Sequence, residues 1–409
     1  MRGGSAHNRS FHGGSDDLKD TLTLTVGPGG DLAGDTETTL QAGLDYLAAA
    51  GGGTLRLLPG TFVFSNALYL RSHVDILGSG SDTVIVKGEY FESPLSADAD
   101  WYDSEMVLEN PEGFDYGAGI TLFAKTPHNN GQNVIKRTII GRDGNRFLLN
   151  KPLEQNFWAD HEAVAKTLFP LLSAEEVEDV RISNLRLDGN RDNTPNFNGN
   201  YGGGFFAQNC KDFSFHQVES VNYNGDGFSW QICHDFTFED CLSQNNADLG
   251  FHPGSGSRRP IIRNNRSLGN GLGLFFCWGV KNGVAEDNLI EDSRDYGISI
   301  GHRDNDNLVR NNTLRRSGKV GLLFREESGG RDPLRNRFEN NVIEDSGEFG
   351  IDLQGDPAGT YLIRNSVTQK EKEGQGTGLR IGPKVSDLTL EENRFVGFEK
   401  QIEDLREQG

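Results

Sequence analysis

Residues spaced 23 to 29 apart repeat in phase along the second half of this 409-residue chain, and the repeat predicts an all-β fold, a right-handed parallel β-helix. Three observations carry that prediction. Glycines open short apolar runs at Gly204, Gly227, Gly250, Gly273, Gly297, Gly321, Gly350 and Gly378, at intervals of 23, 23, 23, 24, 24, 29 and 28 residues. Asparagines recur in the same register at Asn265, Asn288, Asn312, Asn341, Asn365 and Asn393. Stacked Asn side chains bond along a solenoid axis and tolerate the left-handed backbone of sharp turns. The composition agrees: 53 glycines with only 35% apolar residues suit coils that each bury a few side chains.

The elements follow in order. Met1 to Gly14 is polar and lacks the apolar core of a signal peptide, so residues 1–20 read as a flexible tail. An extracellular or periplasmic location is expected all the same, without a visible leader to support it. Residues 21–85 form an N-terminal cap and the first coils. Leu40, Leu44, Leu47 and Ala48 give Asp35 to Ala50 a helical apolar spacing, with Asp35 or Thr36 as cap and Gly51-Gly52-Gly53 as stop. Thr54 to Phe62 then reads as strand, turn and strand. From 86 to 172 the coil rhythm is lost. Gly117 to Leu153 alternates apolar and polar residues, with turns at Asn129-Asn130-Gly131 and Asp143-Gly144, which predicts an inserted β-ribbon. The acidic stretch Ser173 to Val180 is expected to be a short helix or loop leading into the main coils at 173–409.

The run GDTETTLQAGLDYLAAAGGGTLRLLPGTF, Gly34 to Phe62, resembles the N-terminal part of the pectate lyase superfamily, the β-helix proteins related to polygalacturonases. The resemblance implies that the helix plugs the first coil, which also protects an open sheet edge. Asn224-Gly225-Asp226-Gly227 is similar to the Asn-Thr-Asp-Gly of polygalacturonases, with Gly225 in place of Thr. Asp248 stands near their paired aspartates, where Leu249 replaces one carboxylate. Tyr296 to Gly301 resembles their Gly-His-Gly segment, with Tyr296 where His would be and no Arg-x-Lys following. The resemblance therefore implies the fold across most of the chain, without transmitting a catalytic set.

Charge and cysteines narrow the classes. A net charge of −20 argues against nucleic acid, which needs a basic surface. No apolar run reaches the length of a membrane span. None of the four cysteines forms a CxxC pair; Cys210 and Cys233, one coil apart, are expected to stack as thiols rather than form a disulfide. Nothing in the sequence sets an oligomeric state.

Alternation along the strands places apolar residues such as Phe228, Trp230, Leu274 and Ile298 inward. It places an outward column on one open face: Ser229 and Gln231, His252, Phe275, Cys277 and Trp278, Ser299 and His302, Arg325 and Glu326, Asp352 and Gln354. Aromatic surface beside charged groups fits a sugar, stacking on its C–H face and bonding its hydroxyls. The favoured reading is a polysaccharide lyase acting by β-elimination at a uronic acid. His252 or His302 is then the base, Arg325 the group that neutralises the carboxylate, and Trp278 the stacking platform. Arg258, Cys277, Arg303 and Asp352 complete the expected binding surface. Asp304 and Asp306 supply oxygens suited to Ca²⁺. The alternatives are a glycoside hydrolase using Asp226 with Asp248, or Glu326 with a neighbouring carboxylate; a uronate epimerase; and a non-catalytic carbohydrate-binding solenoid.

Overall fold

The computed structural model describes residues 22–126, 131–371 and 373–406. The tail at Met1 to Gly14 and the turn residues Asn129 and Asn130 lie outside them.

A helix, α1 (Glu37–Ala49), precedes the coils and buries Leu40, Leu44 and Leu47 against Leu55 of the first turn. Thr36 occupies the N-cap position but makes no side-chain capping bond, and Gly51 to Gly53 all take positive φ where the helix stops. The coils then stack as a parallel β-helix. Each contributes one strand to an eleven-stranded sheet, from Leu68–Tyr69 at one end to Lys400–Asp404 at the other. Two further columns of strands form a 21-stranded sheet, joined through the long strands Glu178–Asp188 and Lys211–Val221.

Register explains the core. Phe228, Phe251, Leu274, Ile298, Leu322, Ile351 and Leu379 pair in succession across the eleven-stranded sheet and point into the solenoid. Each such side chain, fully buried, contributes roughly 1.5–3 kcal/mol. The repeating glycines are there for closeness, not for unusual φ. A Cβ on Gly273, Gly297, Gly321 or Gly350 would lie 2.6–2.7 Å from the carbonyl oxygen of the next glycine in the ladder.

The asparagines form a continuous ladder. The backbone N–H and side-chain amide of Asn288 both donate to Asn312 Oδ1, and those of Asn312 donate to Asn341 Oδ1, with distances of 2.8–3.1 Å. The ladder runs on through Asn365 to Asn393. The left-handed residue of each turn is the one before the ladder asparagine, namely Asn264, Asp287, Asn311, Asn340, Arg364 and Glu392. The ladder residues thus supply hydrogen bonds, and their neighbours absorb the turn.

Between the strands Thr83–Lys87 and Leu172–Glu175 the chain leaves the solenoid and forms a six-stranded sheet with antiparallel pairings. Leu95, Met106, Leu108, Phe114, Leu122, Phe147 and Phe157 give it a core of its own. The acidic stretch after it is neither helix nor loop: Leu172–Glu175 is already a strand and Glu178–Asp188 begins the next. Its carboxylates are exposed in adjacent pairs, Glu175-Glu176 and Glu178-Asp179, while Leu172, Ala174, Val177 and Val180 are buried.

Candidate functional site

The outer face of the eleven-stranded sheet carries the chemistry. Ser229 pairs with His252, and on the coils beyond, Phe275, Ser299, Leu323, Asp352 and Arg380 follow one another in register. Two linked groups of side chains sit on this face.

The first is built on Asp226, in the turn that leads into the strand Phe228–Gln231. Its Oδ1 accepts the Leu249 N–H at 3.0 Å, and its Oδ2 lies 2.7 Å from His252 Nδ1. Ser229 Oγ is 3.1 Å from the same nitrogen while donating to the Gly199 carbonyl at 2.6 Å. Burial opposes a charge on this imidazole. The Asp226 charge and hydrogen bond, with the Cys277 thiol close by, outweigh burial and push the pKa of His252 up to about 9. His252 Nε2 is buried and has no hydrogen-bond partner.

Alternation alone puts His252 on an open surface, yet it is only 3% exposed. The loop between Gly189 and Gly204 lies over this end of the sheet. Phe197 of that loop bridges Gly225, Asn196 donates to Asp248 at 2.8 Å, and Gly199 packs on Asp226 so closely that a Cβ there would fall 1.7 Å from Oδ2. The inserted sheet braces the loop, with Lys136 Nζ donating to the Tyr201 carbonyl at 2.7 Å. A covering segment of this kind leaves no mark in the period-two pattern of the strand beneath it.

The second group is centred on Arg325. Its guanidinium lies 4.3 Å from the centre of the Phe275 ring, and the ring of His252 meets the same Phe275 edge-on at 5.5 Å. Arg325 donates to Ser299 Oγ at 2.7 Å and to the Phe276 carbonyl at 2.9 Å, with Asp304 Oδ2 at 3.5 Å and Glu327 Oε1 at 3.7 Å. Gly301 makes room for it, since a Cβ there would come within 2.5 Å of the guanidinium. Asp304 is fully buried and accepts N–H bonds from Gly279, Val280 and Gly301. Burial nevertheless dominates and lifts its carboxyl to about 6, against the pull of Arg325 and those amides. Glu327 receives the His302 backbone N–H and lies 3.3 Å from His302 Nδ1. The His302 ring stacks on Trp278 at 4.4 Å and 13°. Trp278 is 59% exposed, at a left-handed corner (φ 58°), so its indole stands out from the sheet.

The fold therefore gathers His252, Cys277, Trp278, His302 and Arg325 on one wall, joined through Phe275 and Glu327. Other expected residues are placed elsewhere or are already engaged. Asp248 is half-buried under the loop. Exposed Glu326 pairs with Lys384 at 2.7 Å, and buried Asp352 is held by Arg380 at 2.5–2.7 Å and Gln354 at 2.7 Å. Arg258, in a parallel β-bridge with His234 and Lys281, and Arg303, at a turn, are both exposed, and among the described residues no contact ties their side chains to the cluster. Asp304 and Asp306 do not converge: Asp304 points inward, whereas Asp306 pairs with Arg335 at 2.7 Å. Among the described residues no group of three or more His, Cys, Asp or Glu side chains is placed to hold a metal ion. Phe275 and Ser299 stand where strand alternation assigns them, and Glu327 is the working neighbour that alternation does not assign. Phe324-Arg325-Glu326-Glu327 holds the signal, but the corner after Phe324 turns the second glutamate, not the first, toward His302.

Comparison with known proteins follows from this geometry. The family described as "Right handed beta helix region" matches residues 173–330, and the one described as "Periplasmic copper-binding protein (NosD)" matches residues 270–402. The chain is a right-handed β-helix. Three solved β-helices show how widely the fold is used. The A-module of a mannuronan C-5 epimerase from Azotobacter vinelandii aligns over 94% of this chain and 96% of its own, at 16% identity and a TM-score of 0.53. A glycoside hydrolase aligns over 91% and 96%, at 10% identity and 0.51. A surface adhesin of Streptococcus pneumoniae aligns over 90% and 89%, at 11% identity and 0.50. No curated protein matches the sequence. The likenesses establish this β-helix and nothing about its chemistry. The copper-binding description finds no matching donor set. Its segment holds one Cys and one His, Cys277 and His302, and the latter is taken up by Trp278 and Glu327. Among the described residues, no helix of the β-helix is long and apolar enough to cross a membrane.

Proposed function

We propose that the chain is an enzyme that transfers a proton on an acidic polysaccharide lying along the outer face of the eleven-stranded sheet. His252 is the proton-transfer group, Asp226 holds and orients it, Arg325 faces the sugar carboxylate, and Trp278 stacks on a ring. The observation that carries this reading is the Asp226–His252 pair with its unpartnered Nε2. Removing a histidine and a carboxylate from water is expensive unless they are paired, and such pairs concentrate at functional sites. A guanidinium and an imidazolium on this face give an anionic sugar local partners in a molecule of net charge −20.

Proton removal next to a carboxylate leads either to β-elimination or to inversion at C5. The sequence resemblance to pectate lyases favours the first. A mannuronan C-5 epimerase among the structural neighbours makes uronic polymers the substrates to try first. Hydrolysis with paired carboxylates is the weaker reading. Both Asp226 oxygens are engaged, Asp248 is bonded to Asn196, and Glu326 pairs with Lys384. Because Nε2 is buried, substrate reaches it only after a group packed on the imidazole shifts, and the Phe275 ring is in contact with it. A panel of uronic and neutral polysaccharides, read in parallel for unsaturated ends, for sugar inversion and for new reducing ends, tests the proposal. Unsaturated or inverted products from uronic polymers alone are expected. Saturated reducing ends from neutral polymers would overturn it.

A further inference from the structure

Cys277 is half-buried on the coil next to His252, and its backbone N–H donates to the Pro253 carbonyl at 3.0 Å. It is two residues on from Phe275, whose ring meets both His252 and Arg325, and its thiol is close enough to both cations to help hold their charge. The other three cysteines, Cys210, Cys233 and Cys241, are buried. Next to Cys277 lies an imidazole whose Nδ1 is fixed by Asp226 and whose buried Nε2 has no partner at hydrogen-bond geometry, with the Cys277 thiol near enough to favour its charge. A carboxylate-oriented histidine with a free second nitrogen beside a surface thiol has the composition of a nucleophilic triad, whatever the fold.

We propose that Cys277 is a nucleophilic thiol, activated by His252 and Asp226, that removes acyl groups carried as esters on the polysaccharide in this groove. The proposal shares the groove with the proton-transfer reading but needs no chemistry at C5. The thiolate sulfur adds to the ester carbonyl, and the oxyanion that forms faces Arg325, which has a guanidinium hydrogen to spare beyond its bonds to Ser299 and Phe276. The C–O bond breaks, and the leaving sugar hydroxyl takes the proton from His252. Water then attacks the thioester, gives a proton back to His252, and releases the carboxylic acid and the thiolate.

Two measurements on the full chain test this. Alkylation by iodoacetamide, followed by intact mass and peptide mapping, should modify Cys277 alone, and at least tenfold more slowly in His252→Gln. Release of p-nitrophenol from p-nitrophenyl acetate, and of acetate from an O-acetylated polysaccharide, should fall at least a hundredfold in Cys277→Ala. Arg325→Lys should lower kcat more than it raises KM. Circular dichroism confirms that these half-buried positions still fold when changed. A Cys277 alkylation rate unchanged in His252→Gln, or ester cleavage unchanged in Cys277→Ala, would overturn the proposal. Because ester cleavage is read separately from unsaturated or inverted uronate products, either activity can fail without the other.

Discussion

Replacing His252 by Gln should remove a specific pH dependence of stability. The imidazole is held at about 9 in the folded chain, against about 6.5 when unfolded. Its folded pKa is raised, so the stabilisation is fully present below about pH 6.5 and is lost as pH rises through about 9. The difference of about 2.5 units corresponds to roughly 3 kcal/mol, since one unit is about 1.4 kcal/mol. Two buried lysines act in the opposite direction. Burial lowers Lys87 and Lys136 to about 8, so their contribution improves as pH rises through that value. The wild-type curve alone therefore mixes effects of both signs. The difference between wild type and His252→Gln cancels the lysines and leaves the imidazole. Urea melts of both proteins at half-unit steps from pH 6 to 10 give that difference. It should shrink by roughly 3 kcal/mol between pH 6.5 and 9.5. Parallel curves across the range would refute the argument that Asp226 holds a charged imidazole.

Further predictions concern the groove, its cover and the ladder. Trp278→Ala should leave the melting temperature within about 2 °C, because the indole is exposed, and should weaken oligosaccharide binding by about 5- to 30-fold in calorimetry. Gly199→Ala should force the covering loop off Asp226, which limited proteolysis between residues 190 and 203 would show as faster cutting. Asn312→Ala deprives the buried Asn288 backbone N–H of its acceptor and cuts the ladder. It should cost about 2–4 kcal/mol in a denaturant melt, whereas Asn311→Gly at the adjoining left-handed position should cost less than about 1 kcal/mol.

Most of the architecture was legible because it is periodic. Gly273 and Asn288 recur with every coil, since each coil meets its neighbour in the same way, and a repeated contact leaves a repeated residue. The inward and outward faces followed from alternation, and inner residues such as Ile298 and Leu322 are buried accordingly. What the sequence did not reveal depends on contacts made only once. The loop over His252 is fixed by Gly199 meeting Asp226, two residues 27 positions apart with no periodic relation. The choice of Glu327 over Glu326 depends on how the chain turns after Phe324, where strand alternation ends. Asp304 looked like an outward turn carboxylate, but its side chain folds back to cap three backbone amides.

The central claim is that a buried imidazole moves a sugar proton, and hydrogen exchange at C5 measures this most directly. Uronate oligosaccharides incubated in D₂O with wild type should gain deuterium at C5, or lose that hydrogen with formation of a double bond. The rate should climb as pH approaches about 9, where His252 becomes a free base. His252→Gln should abolish it. Exchange that persists in the glutamine variant with an unchanged pH profile would contradict the account.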